Sequence, residues 1–205
     1  MAPPLTIGLT GGIAAGKSEA LAAFERLGAA TMSSDAVVHE LLDNTAVQRT
    51  LTERWGEEVA PDGRVDRARI GAIAFADPAE LAWLESQLHP LVGERLGAWV
   101  ASLPDETEIA VVEVPLLFET EMAGAFDATV AVVSDDAVRR ERAEARGSQL
   151  VDERDARQLA QEEKASRAEH VIRNDGSLEQ LESRLAELVD ELAVSRGAGR
   201  GPVPE

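Results

Sequence analysis

Cysteine and tyrosine are absent from this 205-residue sequence, and aromatic residues make up only 3 % of it. Without cysteine the chain can form neither a disulfide nor a thiolate metal site. No apolar run reaches the roughly 18 residues that a membrane helix needs. The start, Met1-Ala2-Pro3-Pro4, lacks the basic residues that open a signal peptide. We therefore expect a cytoplasmic protein without a membrane partner.

Basic residues are outnumbered by acidic ones, 20 against 38, which gives a formal net charge of −18. A chain this acidic repels phosphodiester backbones, so nucleic acid is not an expected partner. One phosphate site is still compatible with this charge, because backbone N–H groups and a few local cations can build it. The two lysines, Lys17 and Lys164, are rare enough that a lysine at a chemically demanding position points to function.

Apolar runs of strand length alternate with helical patterns, which predicts an α/β fold with helices on both faces of a parallel sheet. We expect the strands at residues 5–10, 29–33, 109–114, 128–133 and 170–172. The pattern is helical from 17 to 27, from Ala36 onward, through much of 47–100 with a break or kink at His89-Pro90, and along a leucine stripe from 178 to 192. The charged stretch 138–166 has few apolar residues, as expected of a mobile, solvated element. Ligands of such sheets bind at the carboxyl ends of the strands.

A glycine-rich motif follows the first predicted strand and precedes the first predicted helix. It reads Gly11-Gly12-Ile13-Ala14-Ala15-Gly16-Lys17-Ser18 and fits the P-loop pattern G-x-x-x-x-G-K-[ST]. The backbone N–H groups of such a loop wrap a phosphate, and the helix N-terminus adds positive potential. Lys17 is expected to reach the β- and γ-phosphates of ATP, and the Ser18 hydroxyl to bind Mg²⁺.

Several classes of P-loop protein do not fit the rest of the chain. The Asn-Lys-x-Asp and Asp-x-x-Gly motifs of GTPases do not occur. Motor ATPases and helicases usually have an aspartate at the end of the second strand of their sheet. This chain has Glu113 instead, in the predicted strand 109–114. A small-molecule kinase remains, and it needs a carboxylate near the γ-phosphate, a substrate pocket and a cationic lid.

Two sequence features meet the first and the third of these needs, and each has a structural alternative. Asp35 follows the second predicted strand, so it could accept the proton of the acceptor hydroxyl; equally, Ser34 or Asp35 could cap the helix that begins at Ala36. Arginines cluster between 139 and 146, where Arg142 and Arg146 lie four residues apart on one helix face. They could contact the triphosphate from a lid, or they could simply solvate a surface helix.

Three further motifs accompany the P-loop. They are Leu88-His89-Pro90, the segment Val114-Pro115-Leu116-Leu117-Phe118-Glu119, and the run Ala168-Glu169-His170-Val171-Ile172-Arg173-Asn174 that follows Gln158 and Lys164. Together with the P-loop they resemble one family, the dephospho-CoA kinases, and the resemblance covers residues 5 to 192 in unbroken order. The chain departs from the family at Ser33 and Glu169, where aspartate is usual, and at Ala14, where glycine is usual.

The resemblance implies a P-loop kinase similar to nucleoside-monophosphate kinases, which transfers the γ-phosphoryl group of ATP to the ribose 3′-hydroxyl of dephospho-CoA. It implies one kinase domain over residues 1–195. Its parts would be a core of 1–35, 105–135 and 168–195, a helical substrate-binding part of 36–104, and a lid of 136–167. A disordered tail is expected over 196–205, and the molecule is expected to be a monomer or a small homo-oligomer.

The resemblance also assigns roles to individual residues. The catalytic ones would be Asp35, Lys17 and Arg142. Those binding ATP would be Gly12, Ile13, Ala14, Ala15, Gly16, Lys17, Ser18, Glu19, Arg142, Arg146 and Asn174. Those binding dephospho-CoA would be Thr10, Asp35, His89, Pro115, Leu116, Leu117 and Glu119, although His89 could instead bond to backbone at a helix end and Glu119 could cap the next helix.

Two other functions remain open from the residues. One is a kinase of the same core that acts on a nucleoside monophosphate or a sugar-like alcohol. The other is a regulatory module that binds nucleotide without phosphoryl transfer; the joint presence of Asp35, Lys17 and the lid arginines speaks against it, because a sensor needs no base.

Overall fold

The computed structural model describes residues 3–61, 63–145 and 158–198 of the chain, with the side chains of 196–198 left out. The chain divides into two compact units. The helical unit comprises Met1–Pro3 and Met32–Glu106, and the sheet unit comprises Pro4–Thr31 and Thr107–Glu205. None of the described helices is both long and apolar enough to cross a membrane.

Five strands form one sheet, in the order β2-β3-β1-β4-β5. Their bounds are Leu5–Gly11 (β1), Ala30–Ser33 (β2), Ile109–Glu113 (β3), Ala128–Val133 (β4) and His170–Arg173 (β5). Strand β1 runs parallel to β3 and β4, and β4 runs parallel to β5. The predicted parallel sheet is therefore confirmed, and each predicted strand ends within one residue of its observed bounds.

Strand β1 lies at the centre of this sheet because its residues can be buried on both faces. Ile7 and Leu9 are fully buried, and every residue of the neighbouring β4 is buried as well. Continuous apolar runs of this kind suit parallel strands that are covered by helices. The loop that follows β1 consequently leaves the middle of the carboxyl edge, where α/β sheets bind their ligands.

The helices of the sheet unit are α1 (Lys17–Arg26), α6 (Asp136–Ala145), α7 (Gln161–Arg167) and α8 (Leu178–Ala198). Helix α8 buries Leu181, Leu185, Leu188 and Leu192 in the same core as Phe24 of α1, which confirms the predicted stripe apart from the exposed Leu178. The expected tail is wrong for residues 196–198, because helix α8 continues to Ala198. Adding a residue to an existing helix needs little free energy, and no proline interrupts the chain before Pro202. The expectation for 199–205 lies outside the described residues.

The helical unit contains α2 (Ser34–Leu42), α3 (Thr45–Trp55), α4 (Arg67–Ala76) and α5 (Pro78–Ser102). Its core consists of aliphatic side chains from these helices and the turn between α3 and α4, namely Leu42, Val47, Leu51, Val59, Ile70 and Leu88. Asp77 caps α5 by accepting a hydrogen bond from the backbone N of Ala79 at 2.8 Å.

Two predictions for this unit are wrong. Helix α2 begins at Ser34 with Ser33 as its N-cap, so Asp35 lies inside the first turn and caps nothing. The chain leaves β2 in an extended conformation and turns helical immediately, which moves the start two residues upstream of Ala36. Of the break or kink expected at His89-Pro90, the break is wrong, because α5 continues through Pro90. Proline removes one helical hydrogen bond there, and the buried Leu88, Val92 and Leu96 hold both sides of it to the core.

Candidate active site

The P-loop, residues 11–18, joins β1 to α1. Gly16 is the N-cap of α1 and has φ 97°, in the left-handed region that favours glycine. A Cβ atom at Gly16 would lie 2.2 Å from Nδ2 of Asn174, so a larger side chain would also displace Asn174. Helix α1 begins directly after Gly16, and the N–H groups in the first turn of a helix suit an anion.

Lys17 is the first residue of α1, and its side chain folds back over the loop. Its Nζ atom donates to the carbonyl oxygens of Gly12 at 3.0 Å and Gly11 at 3.3 Å. The ammonium group therefore lies at the mouth of the loop, within reach of any phosphate that the loop would bind. Ser18 and Glu19 follow in the same first turn, and both are exposed.

Arg142 and Asn174 both donate hydrogen bonds to one carbonyl on the far side of the loop, that of Ala15. Asn174, which follows β5, donates from Nδ2 to the Ala15 oxygen at 2.8 Å. Arg142, on α6, donates from Nη1 to the same oxygen at 3.4 Å and to Oγ of Ser134 at 3.4 Å. The guanidinium thus lies beside the loop, as a cation that assists phosphoryl transfer would.

A cavity of about 260 Å³ opens beside the loop. The lining includes Gly16 and Glu19 on one side, Arg142 and Asn174 on another, and Leu178 of α8. Leu178 is 44 % exposed, in contrast to the four buried leucines of its stripe. The cavity therefore combines a phosphate-binding loop with a polar amide and an apolar side chain, which are the contacts that a nucleoside needs.

Arg139 is a loop contact to which sequence reasoning gave no separate role. Its Nε atom donates to the Ile13 oxygen at 2.9 Å, and its Nη1 atom pairs with Oδ1 of Asp136 at 3.0 Å. The available signal was its three-residue spacing from Arg142, which places both on one face of α6. Arg146, the other predicted lid arginine, lies outside the described residues, as does the part 146–157 of the predicted lid 136–167.

The predicted substrate segment from Pro115 to Glu119 forms turns after β3 and is tied to α7 by a buried ion pair. Nζ of Lys164 lies 3.1 Å from Oε1 of Glu119, and the two side chains are 0 % and 11 % exposed. Lys164 also donates to the Pro115 oxygen, to which Thr10 donates from Oγ1 at 3.2 Å. Burial lowers the pKa of Lys164, and the neighbouring Glu119 carboxylate opposes that shift.

This pair corrects two expectations. Glu119 does not cap the next helical turn, Met122–Ala125, because the N-cap there is Glu121. The stretch 138–166 is not solvated throughout, since Lys164 and Gln161 are buried in α7. The second oxygen of Glu119, Oε2, is buried and has no hydrogen-bond partner among the described residues, so the carboxylate depends on Lys164 and the Leu159 N–H.

Replacing Lys164 with methionine is expected to lower the free energy of unfolding by about 3–5 kcal/mol, because it leaves the Glu119 carboxylate buried and uncompensated. Urea unfolding of the purified variant measures this change. The double variant Lys164→Met/Glu119→Gln is the control, and it should regain a large part of the loss because the buried charge is gone. A single-variant loss below about 1 kcal/mol would contradict the assignment.

The side-chain amide of Gln161 joins the start of α7 to the end of β4. Its Nε2 atom donates to the Ser134 oxygen at 2.8 Å, and its Oε1 atom accepts from the Ser134 N–H at 3.2 Å. The side-chain amide of Gln161 thus bonds to both backbone groups of Ser134, as the backbone of a neighbouring strand would. The ends of the segment 135–160 are held together at the carboxyl edge of the sheet, next to Gly12 of the P-loop.

Asp35 and His89, two of the predicted substrate contacts, belong to the helical unit. Asp35 is exposed in the first turn of α2, and His89 is exposed in the middle of α5. His89 is therefore not a helix-terminal residue. Neither side chain has a hydrogen bond or ion pair within the described parts of the chain, so both are available to a ligand.

Comparison with known proteins gives consistent results. The family model described as dephospho-CoA kinase matches residues 5–180. The dephospho-CoA kinase of Thermobifida fusca is 36 % identical over 193 residues, which cover 92 % of this chain and 96 % of that protein. The dephospho-CoA kinase of Deinococcus radiodurans is 37 % identical over 196 residues, which cover 94 % of each.

Solved structures agree on the fold. The crystal structure of TT1252 from Thermus thermophilus matches with a TM-score of 0.82 at 34 % identity, covering 93 % of this chain and 99 % of that one. Dephospho-CoA kinase from Campylobacter jejuni matches in fold with a TM-score of 0.68 at 21 % identity, covering 93 % and 98 %. The chain therefore belongs to the dephospho-CoA kinase family and is a kinase with a P-loop fold.

Proposed function

We propose that this chain transfers the γ-phosphoryl group of ATP to the ribose 3′-hydroxyl of dephospho-CoA, the last step in forming CoA. The observation that carries the proposal is the set of cations around the loop. Lys17 lies at its mouth and Arg142 at its far side, and both point at a loop whose backbone geometry suits a phosphate. Family membership supplies the identity of the acceptor.

ATP binds with its β-phosphate in the P-loop and its nucleoside in the adjacent cavity. The N–H groups of Gly12 to Ser18 and the N-terminus of α1 hold the phosphates. The Asn174 amide and Leu178 offer the nucleoside one polar and one apolar contact in the cavity. Lys17 leaves the carbonyls of Gly11 and Gly12 and moves onto the β- and γ-phosphates.

Transfer forms a bond between the acceptor 3′-oxygen and the γ-phosphorus, and it breaks the bond from that phosphorus to the β,γ-bridging oxygen. Asp35 accepts the proton of the 3′-hydroxyl, and ADP leaves with the bridging oxygen. Lys17 and Arg142 stabilise negative charge on the transferring group.

Ser18 is the residue that would hold Mg²⁺. Its hydroxyl is exposed in the first turn of α1 and has no hydrogen bond to any described residue, and a hard oxygen donor of this kind suits Mg²⁺. The residues present therefore fit the ion, which when bound would neutralise charge on the β- and γ-phosphate oxygens. No cluster of three or more carboxylate or histidine ligands occurs among the described residues.

The segment after β3 contributes to acceptor binding. Pro115 and Leu116 are half-buried, so they can contact the acceptor directly, whereas Thr10 and Leu117 are fully buried and act by supporting the segment. His89 is the exposed candidate on the helical unit. The cytoplasmic location and the oligomeric state expected from the sequence stay predictions.

A coupled assay of ADP release tests the proposal with a panel of acceptors. Turnover with dephospho-CoA is expected to exceed turnover with AMP by at least about a hundredfold, because the acceptor pocket supplies binding energy to its own substrate. Mass spectrometry of the product should identify CoA. Faster turnover of AMP or of a sugar alcohol would indicate a different kinase, and ATP binding without turnover of any acceptor would indicate a regulatory module.

A further inference from the structure

The P-loop contains one residue in an unfavourable backbone conformation. Ala14 has φ 57°, in the left-handed region that residues with a Cβ atom rarely adopt. A residue held in this region raises the free energy of the loop relative to glycine, and it persists only where its surroundings impose it. The contacts around Ala14 must therefore hold the loop in shape before any nucleotide is bound.

These contacts converge on the carbonyls to either side of Ala14. On the preceding side, Nε of Arg139 donates to the Ile13 oxygen at 2.9 Å. On the following side, Nδ2 of Asn174 donates to the Ala15 oxygen at 2.8 Å, and Arg142 approaches the same oxygen at 3.4 Å. Of these three side chains, Arg139 is the one that donates to the Ile13 carbonyl, which precedes Ala14.

Arg139 also differs from Arg142 in what it faces. Its side chain is 18 % exposed and is fixed in place by Asp136. Arg142 lines the cavity beside the loop, whereas Arg139 is not among the described residues that line it. Arg139 therefore acts on the loop backbone, while Arg142 is positioned to meet the nucleotide itself.

We propose that Arg139 is a positioning residue that holds Ile13 and Ala14 in the conformation that receives the phosphates, and that it is needed because residue 14 is alanine. The inference rests on the proposed use of the loop for ATP. If Ala14 relaxes to negative φ, the N–H groups of the loop turn away from the phosphate position and the affinity for ATP falls. Glycine at position 14 would adopt the same conformation without help and would make Arg139 dispensable.

A double-mutant cycle tests this coupling. Binding of a non-hydrolysable ATP analogue is measured by calorimetry for the wild type, Arg139→Ala, Ala14→Gly and the double variant, together with KM for ATP and kcat. In the wild-type background, loss of Arg139 is expected to weaken analogue binding and raise KM about tenfold, with a change in kcat below about threefold. In the Ala14→Gly background, the same loss should weaken binding less than about threefold.

Arg140→Ala is the matched control on the same helix. Arg140 is exposed, and its described hydrogen bond goes to the Asp136 oxygen within α6, so its loss should leave analogue binding unchanged. Equal losses from Arg139→Ala in the two backgrounds would overturn the proposal, and so would unchanged binding in Arg139→Ala. The binding arm needs no acceptor. A wild type that binds the analogue without turning over dephospho-CoA would therefore refute the proposed function and leave this test intact.

Discussion

Replacing Lys17 with alanine is expected to lower turnover about a thousandfold or more while the protein still folds. The ammonium group stabilises charge on the transferring phosphoryl group, and removing one such contact from an active site has a large effect on kcat. The fold should survive, because Lys17 is half-buried in the loop and is not part of the apolar core of the sheet unit. Coupled ADP release measures the loss, and circular dichroism checks the fold.

Lys17→Arg is an informative companion variant. It keeps the positive charge but replaces a compact ammonium with a planar guanidinium that does not fit the same position. A large loss in this variant as well would show that geometry matters as much as charge. A Lys17→Ala protein that keeps more than about a tenth of wild-type turnover would refute the role assigned to Lys17.

Replacing Asp35 with asparagine is expected to lower turnover on dephospho-CoA at least about a hundredfold, with little change in ATP affinity. Asparagine keeps the shape of the side chain but cannot accept the proton of the acceptor hydroxyl, and a general base contributes about 10²- to 10⁴-fold. Capping cannot account for such a loss, since Ser33 is the N-cap of α2. Single-turnover measurements with saturating ATP separate the chemical step from nucleotide binding.

Glu40→Gln is the matched control for Asp35→Asn. Glu40 is a carboxylate on the same helix, 63 % exposed and paired with Arg95 at 3.1 Å, and its loss should leave turnover unchanged. Near-normal turnover in Asp35→Asn would refute the role of Asp35. The search for the base would then move to Glu113, which pairs in register with Leu9 of β1, ahead of Glu119, which is held by Lys164.

The parts of the site predictable from sequence are those encoded by neighbouring residues. The P-loop needs glycine, lysine and serine at fixed spacing, and its place between a buried strand and a helix follows from local patterns. The strands were equally predictable from the sequence, because a strand buried on both faces is a continuous apolar run. Alanine at position 14 departs from the family pattern, but the sequence does not give its φ value.

The parts that escaped prediction depend on residues far apart in the chain. Lys164 lies in a charged stretch that suggests a solvated surface, and its partners at positions 115 and 119 are more than forty residues away. The scarcity of lysine was the available hint, and it indicated importance without indicating burial. The start of α2 was missed for a different reason, since a serine can be a cap or a first helical residue and only the backbone angles distinguish them.

The pairing of Gln161 with Ser134 affects how the stability of the protein depends on the length of the segment between them. Because one side-chain amide joins the two ends of the segment 135–160, the base of that segment is closed whatever lies between. Loop-closure entropy grows only slowly with length, by about 0.6 kcal/mol for each doubling. A twofold change in the number of residues that separate Ser134 from Gln161 should therefore alter the free energy of unfolding by only about 0.6 kcal/mol, provided that both residues are kept.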